Sequence, residues 1–229
     1  MANHMPSQNQ ANFSTIIRRI ICLGLVGGYL NAIGFLDLGG LYPAAMTGNT
    51  TQLGLAIVKL EWSRVFLIGS TILCFFAGGM LSGILQRVLV HPALELLLMI
   101  VMVILVQIVR VEVSDPMPWE LPLLAFTLAM QGETVTRFTG STLQTVVVTN
   151  TLLKFGDGLV GRYIKYSAGD RAPIENVAIP GTAWLSYLAG AGLGVLASLY
   201  LSYPLVPSLI ILTVLAIDIL VESRTTRER

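Results

Sequence analysis

The sequence predicts an all-α polytopic membrane protein with two structural repeats of about four segments each: six full spanning helices and two broken strand/half-helix segments. Three observations carry that expectation. Only 12% of the 229 residues are charged while 54% are hydrophobic, against about 25% charged in soluble domains; so few charges could not solvate a water-facing surface. Eight apolar stretches follow one another, at approximately 17–37, 41–58, 65–88, 93–111, 119–137, 142–160, 177–201 and 205–222. Two of these, the second and the sixth, carry the same polar interruption at corresponding places.

The first fifteen residues are polar and read as a disordered tail. Arg18-Arg19 followed by an apolar run resembles a signal peptide, but no small-residue cleavage site follows. The run continues through Gly27-Gly28-Tyr29-Leu30-Asn31 to Asp37, which fits an uncleaved first span. Six of the eight stretches approach the roughly 20 residues needed to cross a bilayer. Within the fourth, Leu94–Val109 has no polar face beyond Glu95 and Gln107 and reads as lipid-exposed scaffold. The third holds Gly79/Gly83 and the seventh Gly190/Gly194, a small-xxx-small pattern that lets helices approach closely. The organisation that follows is a tail over 1–15, a first membrane repeat over 16–112, a second over 118–223 and a cytoplasmic tail over 224–229.

The broken segments are Leu41-Tyr-Pro-Ala-Ala-Met-Thr-Gly-Asn-Thr-Thr-Gln-Leu-Gly54 and Leu143-Gln-Thr-Val-Val-Val-Thr-Asn-Thr-Leu-Leu-Lys-Phe-Gly156. Pro43 and Val146-Val147-Val148 disfavour helix, so Leu41–Met46 and Leu143–Val148 are expected to be extended. The Thr/Asn clusters after them stand where helix N-caps belong. The remaining helix in each would be about 17 Å long. Strand plus half-helix could just cross the roughly 30 Å hydrocarbon layer, or the segment could re-enter.

Lys/Arg placement puts Arg18, Arg19, the Arg162/Lys165/Arg171 loop and the Arg224/Arg227/Arg229 tail on the cytoplasmic side. It leaves the crossing number open. If both broken segments cross, Lys59, Arg64 and Arg110 are inside and the repeats are parallel. If both re-enter, Arg87 and Arg137 are inside and the repeats are inverted.

No catalytic constellation is present, so no enzyme activity and no catalytic residue is expected. Cys22, Cys74, His4 and His91 lie in unrelated contexts and imply neither metal nor cofactor. A net charge of +1 argues against nucleic acid. Polar residues in spans cost at least about 2.5–3.5 kcal/mol when charged and therefore face a cavity or a partner. With Thr47 set against Thr149, Asn31 falls opposite Glu133 and Gly54 opposite Gly156. The candidate substrate-binding residues are Asn31, Thr47, Asn49, Thr50, Glu133, Thr149 and Thr151, lining one site with two half-helix N-termini that favour anions or polar acceptors. Plain capping, with Glu133 paired to Arg137, is the structural alternative. Asp218, near Glu222, is expected to reach the interface.

From Gly27-Gly28-Tyr-Leu-Asn31 through Gly39-Gly40-Leu-Tyr-Pro-Ala-Ala-Met-Thr47-Gly48-Asn49-Thr50, the chain resembles the YoaK-like family of bacterial polytopic membrane proteins, a family of unknown function. Asn31 stands where that family usually has an acidic residue, and Thr149-Asn150-Thr151 replaces a usual Thr-Gly-Thr. The resemblance implies a bacterial inner (plasma) membrane location. The strand-then-half-helix element is also similar to the third and tenth spans of sulfate/anion and nucleobase transporters.

The expected function is transport or channelling of a small solute, an anion or a polar metabolite. The competing class is a non-transporting scaffold or ligand sensor. The expected partners are the lipid bilayer and an unidentified small solute, with homo-oligomerisation left open. Both termini should be cytoplasmic; reporter fusions at each end test this, and a periplasmic C-terminus would contradict it.

Overall fold

The computed structural model describes residues 13–37, 39–88, 93–139, 148–164 and 171–227, without the side chains of 132–139 and 223–227. Among them are eight helices: α1 (Phe13–Asp37), α2 (Met46–Val58), α3 (Trp62–Val88), α4 (Ala93–Glu112), α5 (Met117–Thr139), α6 (Val148–Tyr163), α7 (Glu175–Tyr200) and α8 (Val206–Arg227). Their order and limits follow the apolar stretches closely. Four of them, α1, α3, α4 and α7, are long and apolar enough to cross a membrane. Large apolar side chains such as Phe66, Leu73, Phe76, Val101, Leu196 and Tyr200 stand exposed on the outside. A contiguous apolar exterior of this kind suits lipid rather than water.

Side-chain pairs set the direction of each helix. Arg18 and Arg19, near the start of α1, pair with Asp218 and Glu222 of α8, so both helices share the end of the bundle that carries the termini. Asp37, the last residue of α1, pairs with Arg110 near the end of α4, and Arg110 also bonds Glu120 at the start of α5. That group marks the far end. The amide of Gln131 donates to the Leu23 carbonyl, so α5 runs antiparallel to α1. Residues Gly24, Gly28 and Tyr29 of α1 meet Ser186, Tyr187 and Gly194 of α7 in the same order, so α7 runs parallel to α1. Likewise Gly78 faces Phe126 and Ser82 faces Met130, so α3 runs parallel to α5.

The path of the broken segments follows. Gly39 and Leu41 after α1, Ser63 and Arg64 at the start of α3, and Met117 at the start of α5 line one cavity at the far end. The chain therefore enters α2 from the far end and returns to it. In the second half, α5 runs toward the terminal end and α7 starts there. α6 lies antiparallel on α7, with Gly158 against the Asn176 carbonyl and Phe155 against Gly181. Helix α6 thus runs toward the terminal end, where α7 begins.

Close packing is concentrated at small residues. A Cβ added to Gly28 would overlap the Tyr187 carbonyl, and one added to Gly190 would overlap the Leu25 carbonyl. Gly194 sits on the Tyr29 backbone. The seventh-stretch GxxxG is therefore a true helix contact. Its expected partner in the third stretch is displaced by one residue: nothing lies within 4 Å of a Cβ on Gly79, and on Gly83 it meets only Arg87 of its own helix, at 3.6 Å. Gly78 and Ser82, also four apart, form the packed stripe instead. A rotation of one residue turns a helix by about 100°, so adjacent glycines face different neighbours.

Three further expectations are corrected. No strand forms among the described residues; 41–45 is irregular, and 140–147, which hold most of the second extended run, lie outside them. The N-cap of α2 is Ala45, with no side-chain cap bond, so Thr47 and Asn49 sit inside the first turn rather than before it. And α4 is lipid-facing on one side only: Leu97, Val101, Leu105 and Ile108 are exposed, while Leu96, Met99, Val103 and Val106 are buried in the core and buried Glu95 accepts from the Ser82 hydroxyl. α2 ends in a Schellman motif, with Leu60 N–H on Ile57 O and Glu61 N–H on Ala56 O. Leu60 occupies the left-handed position, φ 58°, at a cost of about 1–2 kcal/mol that a glycine would avoid.

Adding one methyl group at Gly28 or Gly190 should destabilise the protein by about 1–3 kcal/mol through overpacking. Gly79→Ala should be neutral or slightly stabilising, because alanine favours helix by up to about 1 kcal/mol. Thermal unfolding in detergent measures both; a Gly190→Ala protein as stable as the parent would refute the backbone contact.

Candidate functional site

Where the chain turns back from α1 toward α2 it lies flat along that helix. Gly39 and Gly40 have φ of 66° and 77°, a left-handed bend that glycine adopts without strain. Tyr42 then stacks on Phe35, ring centroids 4.4 Å apart. Pro43 rests on Gly34, where any Cβ would collide with the proline ring. One residue later the Ala44 N–H donates to Asn31 Oδ1 at 3.0 Å, and Asn31 Nδ2 donates to the Tyr187 hydroxyl at 2.7 Å. Asn31, 6% exposed, thus joins α1, the α2 entry and α7.

Asn49, one turn into α2 and 1% exposed, donates from Nδ2 to the Tyr42 carbonyl at 2.7 Å. Its Oδ1 is buried without a hydrogen-bond partner, which carries a desolvation cost of about 1–3 kcal/mol. Thr47 and Thr50 on the same helix are exposed, and the Thr47 carbonyl accepts from Thr51. The structure therefore gathers Asn31 and Asn49 around the α2 entry, with Tyr42 and Tyr187.

The second-half candidates lie on other contacts. Thr149 is exposed and Thr151 buried, both at the start of α6. α6 packs on α7 and α2 on α3, and α2 and α6 form no packed interface with each other among the described residues. Glu133 lies in α5, and its side chain, like that of Arg137, falls outside the described residues.

Two charged clusters escaped the sequence reading. At the far end Arg110 bonds both Glu120, at 3.1 Å, and Asp37, whose other oxygen accepts from Ser198 at 3.3 Å. At the terminal end Asp218, expected to reach the interface, pairs with Arg18 at 2.6 Å. A signal was present. In the register that aligns Thr47 with Thr149, Arg18 falls opposite Glu120, two charged residues of opposite sign at equivalent places. Tyr187 offered no such signal, because a tyrosine in an apolar helix is ordinary.

The far-end cavity has a volume of about 630 Å³ and is lined by Leu41, Arg64, Phe66, Asp115 and Met117 among others. A groove of about 340 Å³ runs between α1, α7 and α8. Neither is lined by Asn31 or Asn49. Among the described residues no group of three or more His, Cys, Asp or Glu gathers to hold a metal.

Asn31→Leu should cost about 1–3 kcal/mol by stranding the Ala44 N–H, and Tyr187→Phe about 1 kcal/mol. The double variant should lose less than the sum, as residues sharing a bond do. Additive losses in equilibrium unfolding would show that the pair is not coupled.

The family described as Protein of unknown function (DUF1275) matches residues 20–217, and the chain belongs to it. The resemblance read from Gly27 to Thr50 holds at the level of the family. No curated protein and no solved structure matches the chain.

Proposed function

We propose that this member of the DUF1275 family is a small-solute transporter or channel built as an inverted repeat. It works in a bacterial inner membrane with both termini cytoplasmic. The observation that supports the proposal is that α2 lies between two helices whose facing ends meet at the far end, whereas α6 lies between α5, which runs toward the terminal end, and α7, which starts there. The helix neighbours fit the same reading. Exchanging α1–α4 with α5–α8 turns the α1–α7 contact into α5–α3, α2–α3 into α6–α7 and α4–α5 into α8–α1, while α1–α5 and α4–α8 map onto themselves. Six long helices, three per half, would then span the membrane. Paired re-entrant half-helices in inverted halves are a recurrent way to build a transporter site.

The solute would bind at the α2 entry and its α6 counterpart. Asn31, Thr47, Asn49 and Thr50 serve the first, and Glu133, Thr149 and Thr151 the second. Free N–H groups at a helix start favour an anion or a polar acceptor. The unpartnered Asn49 oxygen adds a place for a donor group of a polar metabolite. A non-transporting scaffold or sensor is favoured by one observation: both amide atoms of Asn31 are already engaged within the chain.

A thermal-shift screen of the purified protein against anions, amino acids and nucleobases tests the binding half of the proposal. A ligand at a hundred times its Kd should stabilise by about 2.7 kcal/mol. Asn49→Leu should fold but lose that response. Flux of the hit compound into proteoliposomes tests transport; binding without flux would leave a sensor.

A further inference from the structure

We propose that the Asp37–Arg110–Glu120 cluster at the far end is a proton-binding site, its carboxylate pair taking up one proton from water. Binding of the proton stands on the cluster itself; its role as the coupling ion rests on the transporter reading.

α1, α4, α5 and α7 each contribute one group. Arg110, 19% exposed, is shared between Asp37, 27% exposed, and Glu120, 1% exposed. From α7 comes only the neutral Ser198 hydroxyl, donating to Asp37. Tyr29, on α1, donates its hydroxyl to the Pro204 carbonyl. On α3, Arg64 is engaged by Glu61 and by Gln52, and Asp115 adds another carboxylate at the cavity there. The cluster thus sets two carboxylates against one guanidinium. A second negative charge packed between helices is expensive, and two carboxylates on one site relieve it by sharing a proton. The charge balance at the other end differs. There Arg18 and Arg19 face Asp218 and Glu222, two cations against two anions. Among the described residues the far-end cluster is the one in which two carboxylates share a single guanidinium.

The step is simple: a carboxylate oxygen gains an O–H bond, the guanidinium keeps its proton and the cluster becomes neutral.

Infrared difference spectra of the solute-free protein between pH about 8 and about 6, above the ordinary carboxylate range, read the uptake as a carboxylic C=O band. The band should be present in the parent chain, lost in Glu120→Gln and in Asp37→Asn, and retained in Asp218→Asn. Either of the first two variants leaves one carboxylate on one guanidinium, with no proton to gain. Should they fail to fold, Ser198→Ala gives the same answer. Removing a donor to the Asp37 carboxylate should move the band's midpoint to higher pH. A parent chain with no band, a band retained in both Glu120→Gln and Asp37→Asn, or a midpoint unmoved in Ser198→Ala would overturn the proposal. No solute is present, so a failed flux assay would defeat the transporter reading and leave this one standing, and the reverse.

Discussion

Backbone contact between α1 and α7 is the constraint on which the rest of the structure depends. Gly24 and Gly28 on one helix and Gly190 and Gly194 on the other remove the side chains that would hold the two apart. In lipid there is little hydrophobic gain from bringing helices together, so association must come from dispersion and close fit. Once α1 and α7 are locked, Tyr187 stands over Asn31, and Asn31 in turn receives the Ala44 N–H. The depth at which the chain turns into α2 is therefore tied, through Asn31, to the α1–α7 contact.

The irregular run 41–45 shows how non-helical backbone survives within the bundle. Exposed to lipid, its N–H and C=O groups would each cost several kcal/mol. Here Ala44 N–H and Tyr42 C=O are both taken by asparagine amides, Asn31 and Asn49. An amide suits the task because it carries a donor and an acceptor on one short stem and no charge. That explains Asn31 at a position where a carboxylate could accept from Ala44 but not donate to Tyr187.

The eight segments were legible because hydropathy alone separates them, and the shared interruption at Thr47 and Thr149 located both short helices to within a few residues. Finer features were not legible, for identifiable reasons. Helix α2 starts three residues before Asn49 because Ala45 serves as N-cap without any side-chain bond, and a capping search looks only for Ser, Thr, Asp or Asn. The stop of α2 at Leu60 was hidden because the residue in the left-handed position is not glycine. In α3, Gly78, Gly79, Ser82 and Gly83 offer two overlapping small-residue pairs, and which one packs is decided by the rotation of the whole helix against α5. The terminal-end ion pairs join residues from opposite ends of the chain, such as Arg18 and Asp218, and the far-end cluster joins three helices; no local pattern announces either.

The pairing of α1 with α7 has a consequence for how the protein is made. The principal partner of the first helix begins at Glu175, well over a hundred residues after α1 ends at Asp37. At synthesis rates of about 5–20 residues per second, that delay is on the order of ten seconds. Throughout it α1 sits in the bilayer with its glycine face bare and Arg19 without Glu222. A nascent chain in that condition invites capture by the insertion machinery or by a membrane chaperone until the C-terminal helices arrive. Loss of α7 or α8 through truncation would leave α1 in that orphaned state permanently, a ready substrate for membrane proteolysis.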